Sequence, residues 1–471
     1  MTDHLQAQAP HGAERARSGA DLKAFITRLH FYIGLCVGPF LLVAALTGTL
    51  YALTPQLEDA LYASALHTES RGPAQSLAAQ AAAGRAVAGP GATLFAVRPA
   101  TSEGRTTRVM FSAPDLGVSE SRAIFVDPVI LRVTGDEVVY GTSGTLPLRT
   151  TLDRLHRDLL LGEPGRVYSE LAASWLWVVT LGGVLLWWWR RQSRARLGLS
   201  SARRLHGLIG LWLSVGVLFL SATGLTWSRW AGDNIDAVRS AFGLVTPSVQ
   251  IQLDGAPAQA MAGEHVHDGM ETAPATATPV DPVALLDPVL AAARAAGIDA
   301  ANVEIRPARK PDQAWVAREI DRGWPTQVDT VAVDPRSLAA TSAARFADFP
   351  LVAKLIQWGI AAHMGILFGP VNQVLVAMLG IFLMVTTVLG YAIWWRRRPA
   401  PGALPRTLTQ SWTPLPLGQK AMFGALALVF GWALPVLGAS LALFFAIDAA
   451  RWAWTSRRRR SAPPRAVPDR T

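Results

Sequence analysis

The stretch "TRLHFYIGLCVGPFLLVAALTGTLYAL" (residues 27–53) decides the broad class of this protein. It is almost entirely apolar and exceeds the roughly 20 residues that an α-helix needs to cross a bilayer, yet it carries Arg28 and His30 at its start. A second stretch, "RRLHGLIGLWLSVGVLFLSATGLTW" (203–227), repeats the Arg-Leu-His opening and the Thr-Gly ending. The sequence therefore predicts two membrane helices, each with a histidine near its beginning.

The composition indicates an integral membrane protein. Of the 471 residues, 51% are hydrophobic and 17% are charged, a balance that is unusual for a soluble domain. The net charge is +10, but the arginines cluster at the ends of apolar runs, as in cytoplasmic loops beside membrane helices. We therefore exclude a nucleic-acid-binding protein. These arginines are Arg190, Arg191, Arg194, Arg196, Arg203, Arg204, Arg396, Arg397, Arg398 and Arg457 to Arg460.

The positions of the basic clusters predict the topology. The N-terminal tail and the loops after the second and fourth apolar runs belong on the cytoplasmic side, and the two long polar stretches belong outside. We expect the first helix to be an uncleaved signal anchor. The predicted segments are a tail (1–24), helix 1 (25–54), an external domain (55–168), helix 2 (169–191), a loop (192–204), helix 3 (205–230), a second external domain (231–355), an external approach and helix 4 (356–396), a loop (397–417), a C-terminal membrane segment or hairpin (418–450) and a basic tail (451–471).

The C-terminal apolar region, about 420–447, leaves two alternatives open. A single span would place Arg457 to Arg460 outside, against the charge rule. Pro435 and Gly438 lie at its middle and favour a short hairpin that returns to the cytoplasm.

The chain is an internal duplication. Arg28-Leu29-His30 and Thr47-Gly48 recur 176 residues later, whereas "FVDP" (125–128) and His156 recur 207 residues later as "AVDP" (332–335) and His363. The larger offset is explained by an insertion, 255–280, that is rich in Ala, Pro, Thr and Gly and that we expect to be flexible.

Each external domain is predicted to be small and α+β. In the second domain, 282–297 has the apolar spacing of a helix, and "NVEIRPA", "AWVAREI" and "TVAVDP" alternate like strands that end in an Asp-Pro turn. The first domain has "TLFAVRP", "RVMFSA" and "AIFVDP" in the same order. The fold class is therefore an α-helical membrane bundle with two small α+β domains.

From about residue 22 to 455, the sequence resembles the PepSY-associated transmembrane protein family. The resemblance rests on the "RLHxxIGL" openings, the "VDP" strand ends, a histidine followed by a glycine before helices 2 and 4, and the Trp-Trp-Arg exits. It implies a protein of the bacterial inner membrane with PepSY domains in the periplasm, and the basic clusters predict a multi-pass topology with a cytoplasmic N-terminus. Some members are similar to haem-containing ferric-siderophore reductases.

Four of the nine histidines occupy repeat-equivalent positions at membrane ends. His30 and His206 lie just inside the cytoplasmic ends of helices 1 and 3, and His156 and His363 precede helices 2 and 4 on the outer side. Facing imidazoles on different helices are the axial ligands that a b-type haem needs, and no cysteine attachment is required. We predict two bis-histidine haem b sites, one on each side of the membrane.

Basic residues near these histidines are candidate partners of the haem propionates. They are Arg28 and Arg204 on the inner side, and Arg154, Arg157 and Lys354 on the outer side, where Lys354 is also a reserve ligand. Gly34, Gly207, Gly210 and Gly365 would let a flat macrocycle approach the backbone. The alternative explanation is structural, because interfacial histidines often only end a helix, duplication copies any residue, and the positive-inside rule alone explains the arginines.

These features predict an oxidoreductase that passes electrons across the membrane to a periplasmic ferric-siderophore or a similar ferric chelate. The chain has no Gly-x-Gly-x-x-Gly motif, so the donor is a quinol or another redox protein. The alternative is a non-enzymatic PepSY protein that binds or regulates a periplasmic partner; metal transport is disfavoured because the spans lack mid-membrane carboxylates. The sequence leaves two further alternatives: the chain forms a homodimer, and His265 and His267 in the insertion bind a metal ion loosely.

Overall fold

The computed structural model describes residues 9–192, 200–253, 281–398 and 407–461. The chain divides into two compact units. Unit 1 comprises Met1–Leu46, His156–Ala237 and Met378–Thr471, and unit 2 comprises Thr47–Leu155 and Val238–Ala377. His265 and His267 of the insertion lie outside the described residues.

Helices provide most of unit 1 and the flanks of the sheet in unit 2. Their bounds are α1 Ala9–Ala52, α2 Thr54–Leu61, α3 Ala63–Leu66, α4 Leu77–Ala88, α5 Pro147–Asp158, α6 Arg166–Gln192, α7 Ser201–Thr226, α8 Trp230–Ala241, α9 Leu286–Ala295, α10 Leu351–His363, α11 Gly369–Arg397, α12 Thr409–Trp412, α13 Leu417–Ala433 and α14 Pro435–Ser461. Short 3-10 turns precede α6, α9 and α10.

Five helices in the described ranges are long and apolar enough to cross a membrane. These spans are Gly19–Ala52, Glu163–Gln192, Ser201–Thr226, Gly369–Arg397 and Pro435–Arg457. The prediction of a multi-pass membrane protein is confirmed. Helix 1 begins before the predicted residue 25, and helix 3 ends at Thr226, where the separate helix α8 follows. Helix 4 begins at Gly369, after the predicted external approach, and the left-handed Gly365 and Gly369 separate it from α10.

The C-terminal apolar region consists of two antiparallel helices. The chain reverses between α13 and α14 at Leu434, just before Pro435, whose ring cannot continue a helix. Gly431 and Gly438 let the two backbones approach closely, since a Cβ on Gly438 would lie 2.5 Å from the Gly431 carbonyl oxygen. Further along α14, Asp448 accepts hydrogen bonds from the backbone N–H groups of Leu408 and Thr409 at 3.0 and 2.7 Å, which brings α14 back to the segment before α13.

Buried polar contacts join the helices of unit 1. Ser221 of α7 donates to the Ala173 carbonyl of α6 at 2.7 Å. Glu170 of α6 is fully buried and accepts the backbone N–H groups of Trp230 and Ala231 at 2.9 and 3.1 Å. Because the first N–H groups of a helix have no partner within it, this carboxylate caps the start of α8.

The strands in the described part of unit 2 form one antiparallel sheet of eight. The order is β4-β3-β2-β1-β5-β6-β7-β8, so the four strands of each repeat meet at β1 and β5. We predicted two small domains, whereas the two copies share one sheet because their first strands pair, with Val97 opposite Ile305. The strands are β1 Thr93–Arg98, β2 Thr107–Ser112, β3 Glu120–Val126, β4 Val133–Tyr140, β5 Val303–Arg306, β6 Trp315–Glu319, β7 Thr330–Val333 and β8 Ala340–Ala344.

Helices α4 and α9, one from each repeat, cover one face of this sheet. Leu77 and Ala81 of α4 and Leu286 and Val289 of α9 are buried against strand residues that include Ile305. Asp287, at the start of α9, accepts the backbone N–H groups of Leu77 and Ala78 at 2.8 and 2.9 Å. A carboxylate of the second copy thus caps a helix of the first copy.

The "VDP" motifs form the turns that we predicted after β3 and β7. Asp127 accepts the N–H groups of Val129 and Ile130 at 2.9 and 3.2 Å, and Asp334 accepts that of Arg336 at 2.9 Å. Burial alone would raise the pKa of Asp127, but these bonds and those from Ser70 and Thr68 outweigh it and lower the pKa to about 2. The motif is therefore structural.

Candidate functional site

His30 and His206 come together in unit 1, as the inner haem site requires. Their ring centroids lie 6.3 Å apart and the ring planes are inclined at 77°. A metal–imidazole bond is about 2 Å long, and a nitrogen lies roughly 1.1 Å from the centre of a five-membered ring with ordinary bond lengths. One ion between two opposed imidazoles therefore sets the centroids roughly 6 Å apart, which the observed spacing matches.

Each imidazole is held by a backbone carbonyl through the same ring nitrogen. His30 Nδ1 is 2.9 Å from the Val179 carbonyl oxygen of α6, and His206 Nδ1 is 3.0 Å from that of Thr386 on α11. Such a hydrogen bond selects the tautomer in which Nδ1 carries the proton. Nε2 is then the nitrogen that can bind a metal ion. In the described ranges, neither Nε2 has a hydrogen-bond partner.

Glycines leave space beside both rings. A Cβ on Gly183 would lie 3.1 Å from His30 Cε1, and one on Gly390 would lie 3.5 Å from His206 Cε1. Gly34 and Gly210 follow the two histidines by one helical turn, and a Cβ on either would meet no atom within 4 Å. A flat macrocycle beside two imidazoles needs open positions of this kind, so the residues present fit the predicted group.

The two halves of this site are repeat equivalents. Val179 and Thr386 are 207 residues apart, as are Gly183 and Gly390. We applied this offset to other residues and did not identify these four. The carbonyl partners have no side-chain signature, but the two glycines could have been found by applying the offset along helices 2 and 4.

We also did not predict Arg190 and Arg203 as propionate partners on the inner side. Arg190, at the end of α6, is close enough to His30 and His206 to interact electrostatically with both, and it also interacts with Arg203 and Arg397. Of the predicted propionate partners, Arg28 is half-buried and Arg204 is exposed. Arg190 therefore joins these two as a candidate for holding an anionic group beside the histidine pair, and Arg203, which acts on Arg190, is a further candidate.

The predicted outer residues are distributed between the two units. His156 lies in the last turn of α5 and begins a segment of unit 1, whereas His363 ends α10 in unit 2. The outer haem site stays a prediction. No group of three or more His, Cys, Asp or Glu residues in the described part of the chain is arranged to hold a metal ion.

The outer basic residues have partners of their own. Arg154 lies 3.8 Å from Glu120 and stacks on the Tyr140 ring at 4.5 Å. Lys354 donates to the Ala347 carbonyl at 2.6 Å. Arg157 lies 3.8 Å from the neighbouring Asp158. Their roles toward a cofactor stay predictions.

Comparison with known proteins agrees with this architecture. The family model described as "PepSY-associated TM region" matches residues 27–397. The chain belongs to this PepSY-associated TM family. It is also similar to an uncharacterized protein of Pseudomonas aeruginosa, with 33% identity over 126 residues. That match covers 25% of this chain and 31% of the relative, so the chain spans about a third of the relative's length.

Proposed function

We propose that this PepSY-associated TM protein is an inner-membrane di-haem b oxidoreductase that reduces a periplasmic ferric-siderophore or a similar ferric chelate. The observation that carries the proposal is the His30–His206 pair, with centroids 6.3 Å apart and both Nδ1 atoms held by carbonyls. Each Fe(III) reduced to Fe(II) takes one electron, which a quinol or another redox protein supplies.

Residues of unit 1 would hold the inner haem. His30 and His206 would bind its iron through Nε2, and the Val179 and Thr386 carbonyls would fix their orientation. Arg190 and Arg203 supply positive charge suited to propionates. Held by two histidines, the haem would supply reversible one-electron transfer.

The acceptor is proposed from the chemistry of chelated iron. Siderophores hold iron with hard oxygen donors, which favour Fe(III) over the softer Fe(II). One-electron reduction therefore loosens the complex and releases Fe(II). In this proposal, His156 and His363 would ligate the outer haem, with Arg154, Arg157 and Lys354 as candidate propionate partners.

A reduced-minus-oxidised absorbance spectrum of the purified full chain tests the proposal. We expect a b-type signal that falls by about half in His30→Ala and in His206→Ala, and again by about half in His156→Ala and His363→Ala, since bis-histidine ligation fails without either ligand. The matched control is His67→Ala in unit 2, whose imidazole lies 2.9 Å from Asp59 and is partly exposed. A protein that shows no Soret band after haem supplementation would refute the proposal.

A further inference from the structure

The face of the sheet opposite α4 and α9 carries a row of charged residues. The strand register places Arg108 of β2 beside Arg98 of β1, and Glu304 of β5 beside Arg318 of β6. Arg98 and Glu304 are neighbours across the β1–β5 pairing, since Val97 lies opposite Ile305. Arg306 follows on β5, two residues beyond Glu304 and therefore on the same face. Four arginines thus surround one carboxylate.

Three of the arginines bind Glu304 directly. The Nε atoms of Arg98, Arg306 and Arg318 donate to its oxygens at 2.7, 2.6 and 3.0 Å. The Glu304 side chain is 0% exposed, while those of Arg98, Arg306 and Arg318 are 15%, 7% and 23% exposed. This arrangement joins a strand of the first repeat to two strands of the second.

All four guanidinium groups converge on the turn after β4. Arg98, Arg306 and Arg318 donate to the Thr142 carbonyl at 3.2, 3.2 and 2.9 Å. Arg108 donates from Nη1 to the Gly144 carbonyl at 2.6 Å, and its guanidinium lies 5.0 Å from the centre of the Phe125 ring. Because these carbonyls are two residues apart, the four positive charges lie in one small region.

The positive charge of this region exceeds the negative charge. Four guanidinium groups face Glu304 there, and the Arg149–Glu58 pair near Arg108 adds one charge of each sign, so the excess stays positive. Burial followed by the Arg98 charge lowers the pKa of Arg108 to about 9. Some guanidinium N–H groups of this region also have no hydrogen-bond partner among the described residues. In the described residues, Arg108 uses only Nη1, and Arg318 uses Nε and Nη2 but not Nη1.

We propose that this arginine cluster, Arg98, Arg108, Arg306 and Arg318, is a binding site for a small oxyanion ligand that carries carboxylate or phosphate groups. The guanidinium fork matches such groups in shape and charge. Arg98 and Arg306 are occupied by Glu304 and the turn, so Arg108 and Arg318 supply the open donors. An anionic ferric chelate belongs to this ligand class, a link that rests on the proposed function; the anion site itself does not need the histidine pair.

Citrate binding to the full chain in detergent tests the site. We expect citrate to raise the thermal midpoint of the native protein in a saturable manner, while sodium chloride at matched ionic strength does not. The apparent dissociation constant for citrate should rise roughly tenfold to a hundredfold in Arg108→Gln, because one charge-assisted pair is lost. Inorganic phosphate, tested separately, should compete with citrate in the native protein.

Two further variants separate this site from general charge effects. Arg108→Lys keeps the charge and should bind citrate more tightly than Arg108→Gln. Arg122→Gln is the matched control, because Arg122 lies in β3, pairs with Asp136 at 2.6 Å and donates to the Ala88 carbonyl at the end of α4. Its citrate constant should equal that of the native protein. Equal citrate constants in the native protein and Arg108→Gln, or a citrate effect that sodium chloride reproduces, would overturn the proposal, and neither result depends on haem.

Discussion

Replacing Glu304 with Gln should destabilise the centre of the eight-stranded sheet. Glu304 is fully buried and binds three guanidinium groups, two of them in its own repeat and one in the other. The amide keeps the volume of the side chain but removes its charge, which leaves the arginines without their carboxylate. Removal of one partner from a buried ion pair costs about 3–5 kcal/mol.

Amide hydrogen exchange of the full chain in detergent measures this loss where it occurs. Because 1.36 kcal/mol corresponds to a factor of ten, protection of the β1 and β5 amides should fall roughly a hundredfold to several thousandfold. Asp136→Asn is the control, since its pair with Arg122 is about a third exposed on each side. Such a pair contributes about 0–1 kcal/mol. A Glu304→Gln protein that exchanges like the control would refute the reasoning.

The stability that the Glu304 carboxylate contributes should depend on pH. Burial alone would raise the pKa of Glu304, but Arg306, Arg318 and Arg98 outweigh it and hold the pKa well below its usual range. A lowered folded-state pKa means that the carboxylate stabilises the fold fully above the unfolded-state pKa, about 4.3. This contribution is lost only as the pH falls toward the folded-state pKa. The stability difference between native and Glu304→Gln should therefore be constant from about pH 8 to 5 and shrink below about pH 4.

Two glycine substitutions test the packing of unit 1. Gly183→Val should displace the His30 ring, whose Cε1 would lie 3.1 Å from the new Cβ, and the reduced-minus-oxidised haem signal should fall by about half. Gly438→Val should separate α13 from α14, because its Cβ would lie 2.5 Å from the Gly431 carbonyl oxygen, and we expect a loss of about 1–3 kcal/mol in thermal unfolding. Gly424→Val is the control for both, since a Cβ there meets no atom within 4 Å; an equal effect in this control would contradict both predictions.

Hydrophobic runs and basic clusters predicted the membrane helices well, because both signals are local. Helix 2 was expected at 169–191 and spans Arg166–Gln192. The sequence did not predict α4, whose segment "LAAQAAAGRAVA" is mostly alanine and lacks a clear apolar period. It also did not predict β8, where the exposed segment "ATSAA" has no hydrophobic alternation.

From the sequence, only those parts of the candidate site could be predicted that depend on side-chain identity or on the internal repeat. His30 and His206 were found because duplication places them at equivalent positions. The Val179 and Thr386 carbonyls that orient them were not found, because any residue supplies a carbonyl. Glu304 was missed for a different reason: Arg306 and Arg318 lie near it in the chain, but Arg98 is 206 residues away and reaches it only through the pairing of β1 with β5.

The pairing of β1 with β5 makes the two repeats depend on each other. Asp287 of the second copy caps α4 of the first, and Arg306 and Arg318 of the second bind the Thr142 carbonyl of the first. Without the second copy, Arg98 would lose Glu304 and β1 would become an unpaired edge, which invites aggregation. A chain truncated after residue 230 should therefore be cleaved readily by protease within 55–155, whereas the full chain resists cleavage there. Equal resistance in both chains would mean that each repeat folds alone and that the shared sheet adds little stability.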